Sequence, residues 1–280
     1  MITTTITRLS PTITRLSPPI ALDVARSLRR RWHTLYRRQW VYQEFIRTAL
    51  TNSVLQEAFM QGTDLPAHYG VGFDERCVEF PWLLSHLGNA KERLLDAGST
   101  LNHEYVLAHD SFRDKSLHIM TLAPEYNCFW QRGISYIFGD LRDIPIRDSY
   151  YDTIACISVL EHVGLDNTVY SSDELYNQNA PDDFITVMHE LRRVLKPGGR
   201  LLLTVPFGTY QHLGWLQQFD RDLLSRAIVA FGSAHPSVEE FYRYHPHGWA
   251  KVEAEDCKDC RYADGPTSAA NAVACVRLTR

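Results

Sequence analysis

Residues Ser158-Val159-Leu160-Glu161-His162 set a hydroxyl, a carboxylate and an imidazole at the end of an apolar run. An unperturbed imidazole titrates near pH 6.5 and can take a proton at neutral pH, which makes His162 a candidate general base and Glu161 a second, weaker one. A histidine that merely orients or packs a loop has the same signature. Two further tracts carry polar groups beyond apolar runs. Asp96-Ala97-Gly98-Ser99 pairs a carboxylate with a glycine that has no side chain to block a ligand, and the backbone amides after it can face that ligand. Gly139-Asp140-Leu141-Arg142-Asp143 offers a carboxylate able to accept from an exocyclic amine or a ribose hydroxyl. Cys257 and Cys260 form a lone C-x-x-C, and His245 and His247 precede it at the wrong spacing for a zinc finger, so two thiols on a loop or helix turn are expected and no metal.

These tracts need a scaffold that brings strand ends together. Apolar stretches at Arg93–Ala97, Ser116–Ala123, Ile134–Gly139, Thr153–Val159 and Arg200–Val205 alternate with helical segments, in the manner of βαβ units. Their nearly continuous apolar character suits strands covered on both faces. Before the last strand, Pro181, Asp182 and Asp183 open a helix with the stripe Phe184, Val187, Met188, Leu191, Val194 and Leu195. Arg192, Arg193 and Lys196 complement its negative end, and Pro197-Gly198-Gly199 stops it. The expectation is a Rossmann-like, doubly wound α/β sheet, with ligands at the carboxyl ends of its strands where strand order reverses.

Three segments are expected. Residues 1–20 hold two copies of Thr-Ile-Thr-Arg-Leu-Ser-Pro, too short a repeat to bury a core, and are read as a disordered tail. Residues 21–88 are read as an N-terminal helical extension: Leu28, Trp32, Leu35, Tyr36, Trp40, Phe45, Ile46 and Leu50 recur at helical spacing, and Arg26, Arg29, Arg30, Arg31, Arg37 and Arg38 form either a solvated face or a phosphate-binding one. Residues 89–280 form the α/β domain. The 280 residues carry a net charge of -4, so no global basic field supports nucleic acid as a partner. No apolar run reaches the roughly 18 residues of a membrane span, the N-terminus lacks a signal peptide's apolar stretch, and six scattered cysteines suit a reducing compartment; the chain reads as cytoplasmic.

From about residue 90 onwards the motifs together resemble the class I S-adenosylmethionine-dependent methyltransferases. LLDAGS is similar to the first glycine motif, GDLRDIPIRDSYYDTI to the segment through strands three and four, SVLEHV to the post-strand motif, and ELRRVLKPGGRLLLTVPFG to the last helix and strand. The resemblance implies a seven-stranded sheet with an antiparallel last strand, Val238–Tyr244 and Ala272–Leu278 being strands six and seven. It implies S-adenosyl-L-methionine as cofactor, with Asp96 and Gly98 at its methionine part, Asp140 and Leu141 at its adenine, Ser158 beside it, and a structural Asp152. Two features depart from the family pattern: Thr100 and Asn102 stand where the second and third glycines would be, and the second strand is followed only by Glu125 as an acid. A bacterial branch with Asp-x-Gly-Ser-x-Leu-Asn and Thr-Leu-x-Pro-Glu is similar at both places, and there Ser99, Asn102 and Glu125 supply polar contacts; members of this branch are often linked to surface-polysaccharide or secondary metabolism. The same resemblance puts the acceptor pocket after the fifth strand, with Tyr210, His212 and Trp215 lining it.

The sequence therefore supports methyl transfer to a small-molecule or carbohydrate-like acceptor. A catalytically silent member of the fold is the alternative, and a nicotinamide oxidoreductase lacks its G-x-G-x-x-G. The Ser-Val-Leu-Glu-His tract differs from the Asn/Asp-Pro-Pro-Tyr/Phe of enzymes that methylate base or glutamine amino groups and from the Pro-Cys of cytosine-C5 enzymes.

Overall fold

The computed structural model describes residues 39–280 except 89, 266 and 268. The expected tail and the arginines at 26 to 38 lie outside the described residues. One compact unit runs from Glu44 to Arg280, and it begins inside helix α1 (39–51). The rest of α1 and the two helices that follow it before the sheet belong to this unit and pack within it.

The order of elements is α2 (Ser53–Gln61), α3 (Arg76–Leu87), β1 (Arg93–Ala97), α4 (Glu104–Leu107), β2 (Ser116–Thr121), β3 (Ser135–Phe138), β4 (Tyr151–Ile157), α5 (Thr168–Ser171), α6 (Phe184–Val194), β5 (Leu195–Pro206), a ribbon of β6 (Gln211–His212) and β7 (Gln217–Gln218), α7 (Arg221–Phe231), β8 (Val238–His245), β9 (Gly248–Val252) and β10 (Ala272–Thr279). The main sheet runs β3-β2-β1-β4-β5-β10-β8-β9. The first five strands are parallel, while β10 is antiparallel to both β5 and β8. Seven of these are the expected strands. The eighth, β9, is not among the expected strands, and it pairs antiparallel with β8, Phe241 opposite Val252.

Strand alternation sends successive side chains to opposite faces. Leu201, Leu203 and Val205 of β5 join Ile154 and Cys156 of β4 in an apolar cluster with Phe184, Val187, Met188 and Leu191 of α6 and Leu224, Ala227 and Phe231 of α7. Each large apolar side chain withdrawn from water there contributes about 1.5–3 kcal/mol. Helix α6 ends at Val194, two residues before the expected Lys196, because Leu195 is already extended and pairs with Tyr151 before the register shifts to Thr153 and Arg200.

Thr204 lies between Leu203 and Val205 and so faces the other way, towards α3. Its Oγ1 donates to Glu79 Oε1 at 2.6 Å, Trp82 Nε1 donates to Glu240 Oε2 at 2.6 Å, and Phe59 of α2 meets Tyr242 ring to ring at 5.4 Å. Helices thus cover both faces, as the doubly wound expectation requires. Pro81 lies inside α3. A proline there has no N–H for the carbonyl four residues back, and that carbonyl, of Cys77, accepts from the Tyr69 hydroxyl instead.

Candidate active site

The carboxyl ends of β1, β2, β3 and β4 open onto a cleft of about 430 Å3 whose lining includes Gly98, Glu125, Asp140, Ser158, His162 and Arg76. It sits at the switch point, since β1 is flanked by β2 on one side and β4 on the other.

At the end of β1, Asp96 is fully buried; its Oδ2 accepts from Leu101 N at 2.9 Å, and its Oδ1 has no partner. Burial raises the Asp96 carboxyl to about 7. Gly98 has φ +108°, and a Cβ there would lie 2.2 Å from Val159 Cγ2, so the β1 turn is pressed against the β4 turn. Ser99 follows with φ 66°, and its buried hydroxyl also lacks a partner. Ser158, at the corresponding turn after β4, has φ 47°. Both serines hold the left-handed conformation that side chains disfavour.

Thr100, in place of a family glycine, donates to Ile157 O at 2.7 Å and ties the two turns together. Asn102 is not a free contact. It is buried and fully engaged: Nδ2 donates to Glu125 Oε2 at 2.9 Å and to Asn127 O at 3.0 Å, while Oδ1 accepts from Tyr136 at 2.9 Å. Asn102 therefore positions Glu125, which lines the cleft. At the end of β3, Asp140 accepts from Arg142 through the backbone at 2.9 Å and through the guanidinium at 2.6 to 3.1 Å. Although desolvation opposes it, the Arg142 hydrogen bonds and charge hold the Asp140 carboxyl below its ordinary value. Leu141 is buried beside it. Asp152 anchors the start of β1 by accepting from Arg93 N at 2.9 Å and pairs with Lys196.

Beyond β4, the Ser158 hydroxyl is turned inward and donates to Glu79 Oε1 at 2.5 Å. Glu79 is completely buried and also pairs with Arg76, so α3 delivers a guanidinium to the cleft. Sequence reading missed this group, because nothing in Asp-Glu-Arg-Cys-Val-Glu distinguishes it from the polar face of an ordinary helix. His162 Nδ1 lies 2.9 Å from Trp215 O. A carbonyl only accepts, so Nδ1 carries the proton and Nε2 keeps its lone pair. Burial pushes the His162 imidazole down to about 4, against the unperturbed value expected from sequence. Glu161 does not line the cleft; it is buried below His162, its Oε1 3.9 Å from Nε2, its Oε2 without a partner, and its carboxyl raised well above the ordinary range by desolvation.

The three residues expected around the acceptor separate. Trp215 packs on His162 at 5.3 Å between ring centroids. His212 is on the β6–β7 ribbon with Nε2 3.1 Å from Asn179 Oδ1, and Tyr210 is 44% exposed; neither is among the residues that line the cleft. Cys257 ends a single 3-10 turn, and both it and Cys260 are buried free thiols; among the described residues no cluster of three metal-ligating side chains is found.

Residues 114–203 match the methyltransferase-domain family. The matched segment runs from β2 to β5, and the strand order around it is that of the Rossmann-like sheet the resemblance implied. No curated protein matches the sequence. Among solved structures it is similar to Burkholderia thailandensis 1,6-didemethyltoxoflavin-N1-methyltransferase, crystallised with 1,6-didemethyltoxoflavin and S-adenosylhomocysteine, at 14% identity and TM-score 0.47 over 95% of this chain and 92% of that one. It is also similar to an S-adenosylmethionine-dependent methyltransferase from Archaeoglobus fulgidus, at 11% identity and TM-score 0.47 over 69% and 87% of the two chains. A third likeness, to a proposed sarcosine dimethylglycine methyltransferase from Galdieria sulphuraria, has 20% identity and TM-score 0.40 and covers 57% of this chain and 61% of that one.

Proposed function

We propose that the protein transfers a methyl group from S-adenosyl-L-methionine to a small-molecule acceptor in the cytoplasm. One observation carries the cofactor assignment: at the switch point, Asp96 Oδ1 and Ser99 Oγ are buried polar atoms with no partner. Orphaned groups of this kind cost about 1–3 kcal/mol each, a cost that a polar ligand removes. The amino-acid portion of the cofactor suits them, with Gly98 leaving the backbone open, while Asp140 and Leu141 suit its adenine and Glu125, held by Asn102, its ribose. When bound, the cofactor's sulfonium supplies an already activated methyl group.

The chain's own part is to hold the acceptor, exclude water and, for a hydroxyl acceptor, receive a proton. His162 Nε2 is the group for that proton because its lone pair is free. The depressed basicity of His162 makes it a base whose strength depends on the neighbouring Glu161: once Glu161 ionises, the imidazolium gains a counter-ion. A cleft of about 430 Å3 has room for a small acceptor beside the cofactor, and surface-polysaccharide or secondary metabolism is a setting consistent with a small or carbohydrate-like acceptor. Calorimetric titration with S-adenosylmethionine, S-adenosylhomocysteine and NAD tests the reading. Saturable heat from the two sulfur compounds and none from NAD is the expected result; silence towards both sulfur compounds would favour a non-catalytic binding protein.

A further inference from the structure

Two of the six cysteines stand together. Cys257 ends the 3-10 turn Ala254–Cys257, and Cys260 follows three residues on, its N–H donating to Cys257 O at 2.9 Å. A turn closed in this way brings its end Cα atoms within about 7 Å, the span that a disulfide bridges. The two thiols are also hydrogen-bonded to each other. The backbone around them is fixed from outside: Glu253 and Asp256 cap the turn reciprocally, Lys258 O accepts from Thr209 Oγ1 at 2.8 Å, and Cys260 O accepts from Thr209 N at 2.9 Å and from Gln218 Nε2 at 2.8 Å. Joining the sulfurs therefore asks for side-chain rotation and leaves the chain in place. Lys258, Asp259 and Arg261 are exposed, so the turn lies at the surface; Cys260 is 6% exposed and Cys257 not at all.

The pair also differs chemically from the other buried cysteines. Burial pushes the thiols of Cys77, Cys156 and Cys275 up. At Cys260 the hydrogen bond from Cys257, aided by the Arg243 charge, outweighs burial and Asp259 and brings the thiol down to about 7. Arg243 is held beside the turn by donating to Asp256 O. Cys257, as the donor, keeps its proton more firmly. The thiolate is the form of cysteine that attacks a disulfide, and a C-x-x-C next to a cation is the setting that favours it.

We propose that Cys257 and Cys260 are a dithiol site that exchanges with low-molecular-weight disulfides, Cys260 attacking and Cys257 resolving. In the first step the Cys260 thiolate bonds to one sulfur of the small disulfide, whose S–S bond breaks, and one thiolate leaves. Once Cys260 is in the mixed disulfide it no longer holds the Cys257 proton. That proton passes to the departed thiolate, the Cys257 sulfur bonds to Cys260, and the second small thiol leaves. The protein is oxidised by two electrons and loses two hydrogens, and the small disulfide is reduced to two thiols. The site does not depend on the methyltransferase reading. Oxidised glutathione is the probe, added to the reduced full-length protein under native conditions, followed by acid quenching, alkylation of the remaining thiols and peptide mass mapping. Cys257 and Cys260 become linked to each other, exposed Cys128 gains only a glutathione adduct, and Cys77, Cys156 and Cys275 stay free. In Cys257→Ser the adduct on Cys260 persists, and in Cys260→Ser the remaining Cys257 reacts at least about tenfold more slowly than the pair. Melting temperatures close to the parent's show that the serine variants are folded, and the linkage in the parent is read without any variant. A glutathione adduct that persists on Cys260 of the parent, or a pair that stays free while Cys128 reacts, overturns the proposal. Undiminished reaction of Cys257 in Cys260→Ser overturns the assignment of Cys260 as the attacking thiol.

Discussion

The two faces of the sheet are covered by helices of different character. Under α6 and α7 the contact is an apolar cluster in which Leu191, Met188, Phe184 and Phe231 are fully buried. Under α3 the strands meet a completely buried carboxylate, Glu79, which Ser158, Thr204 and Arg76 satisfy together. The first face gains its stability from area, which is tolerant of chemical detail. The second depends on directional partners, and one of those partners, Ser158, lies in the strained turn that lines the cleft. Removing α3 contacts should therefore disturb both stability and the site, whereas repacking α6 should disturb stability alone.

The largest expected effect comes from Glu79→Ala. It takes the acceptor from the Ser158 and Thr204 hydroxyls and one carboxylate from Arg76, and removing one member of a buried pair costs about 3–5 kcal/mol. Chemical denaturation measures the loss, and a cost below about 1 kcal/mol would show that water replaces the carboxylate and that the polar face is no more exacting than the apolar one.

Protonation gives a second, smaller effect. Asp96 in the folded chain is raised to about 7, above its value of about 3.9 in an unfolded chain, so the native state binds the proton more tightly. Stability from this group is then present below about pH 4 and declines as pH rises towards 7, at roughly 1.4 kcal/mol per unit at most. Glu75, raised to about 8, acts in the same direction, so the comparison must be with Asp96→Asn rather than with pH alone. Between pH 5 and 7 the parent should lose on the order of 2 kcal/mol more than Asp96→Asn. Parallel pH profiles would mean that Asp96 is ionised in the native protein. Third in size, Leu191→Met on the apolar face keeps volume and should cost less than about 1.5 kcal/mol, with S-adenosylhomocysteine affinity unchanged. A matching loss of affinity would erase the distinction between the faces.

The contrast also explains what was legible in the sequence. Buried parallel strands are continuous apolar runs, so the starts and ends of β1 to β4 fall within two residues of expectation, and the α6 stripe reports the face it buries. The polar face left no such periodic mark. Glu79 and Thr204 are 125 residues apart in sequence. At the site, residue types at strand ends were readable and their engagement was not. Asn102 was recognisable as polar where a glycine was expected, but its three hydrogen bonds come from residues 125, 127 and 136. The basicity of His162 likewise depends on Trp215 and on burial, which its local tract does not encode.

Asp140 gives the smallest effect and the finest test of the cofactor end. The carboxylate is already held in two ways, by Arg142 N and by the Arg142 guanidinium, and Arg142 is itself shared with Asp183 at 2.5 Å. An adenine amine would meet a carboxylate whose charge is partly spent, so Asp140→Ala should weaken S-adenosylhomocysteine binding by about 1 kcal/mol, the low end for a lost polar partner. Because Arg142 keeps Asp183, the variant should remain folded, with a melting temperature within a few degrees of the parent's. Calorimetry on both proteins checks each half of this expectation. Unchanged affinity in a folded variant would remove Asp140 from the adenine site and leave it as the residue that orients Arg142. A loss well above 1 kcal/mol would instead mean that the ligand displaces Arg142 and takes the carboxylate for itself.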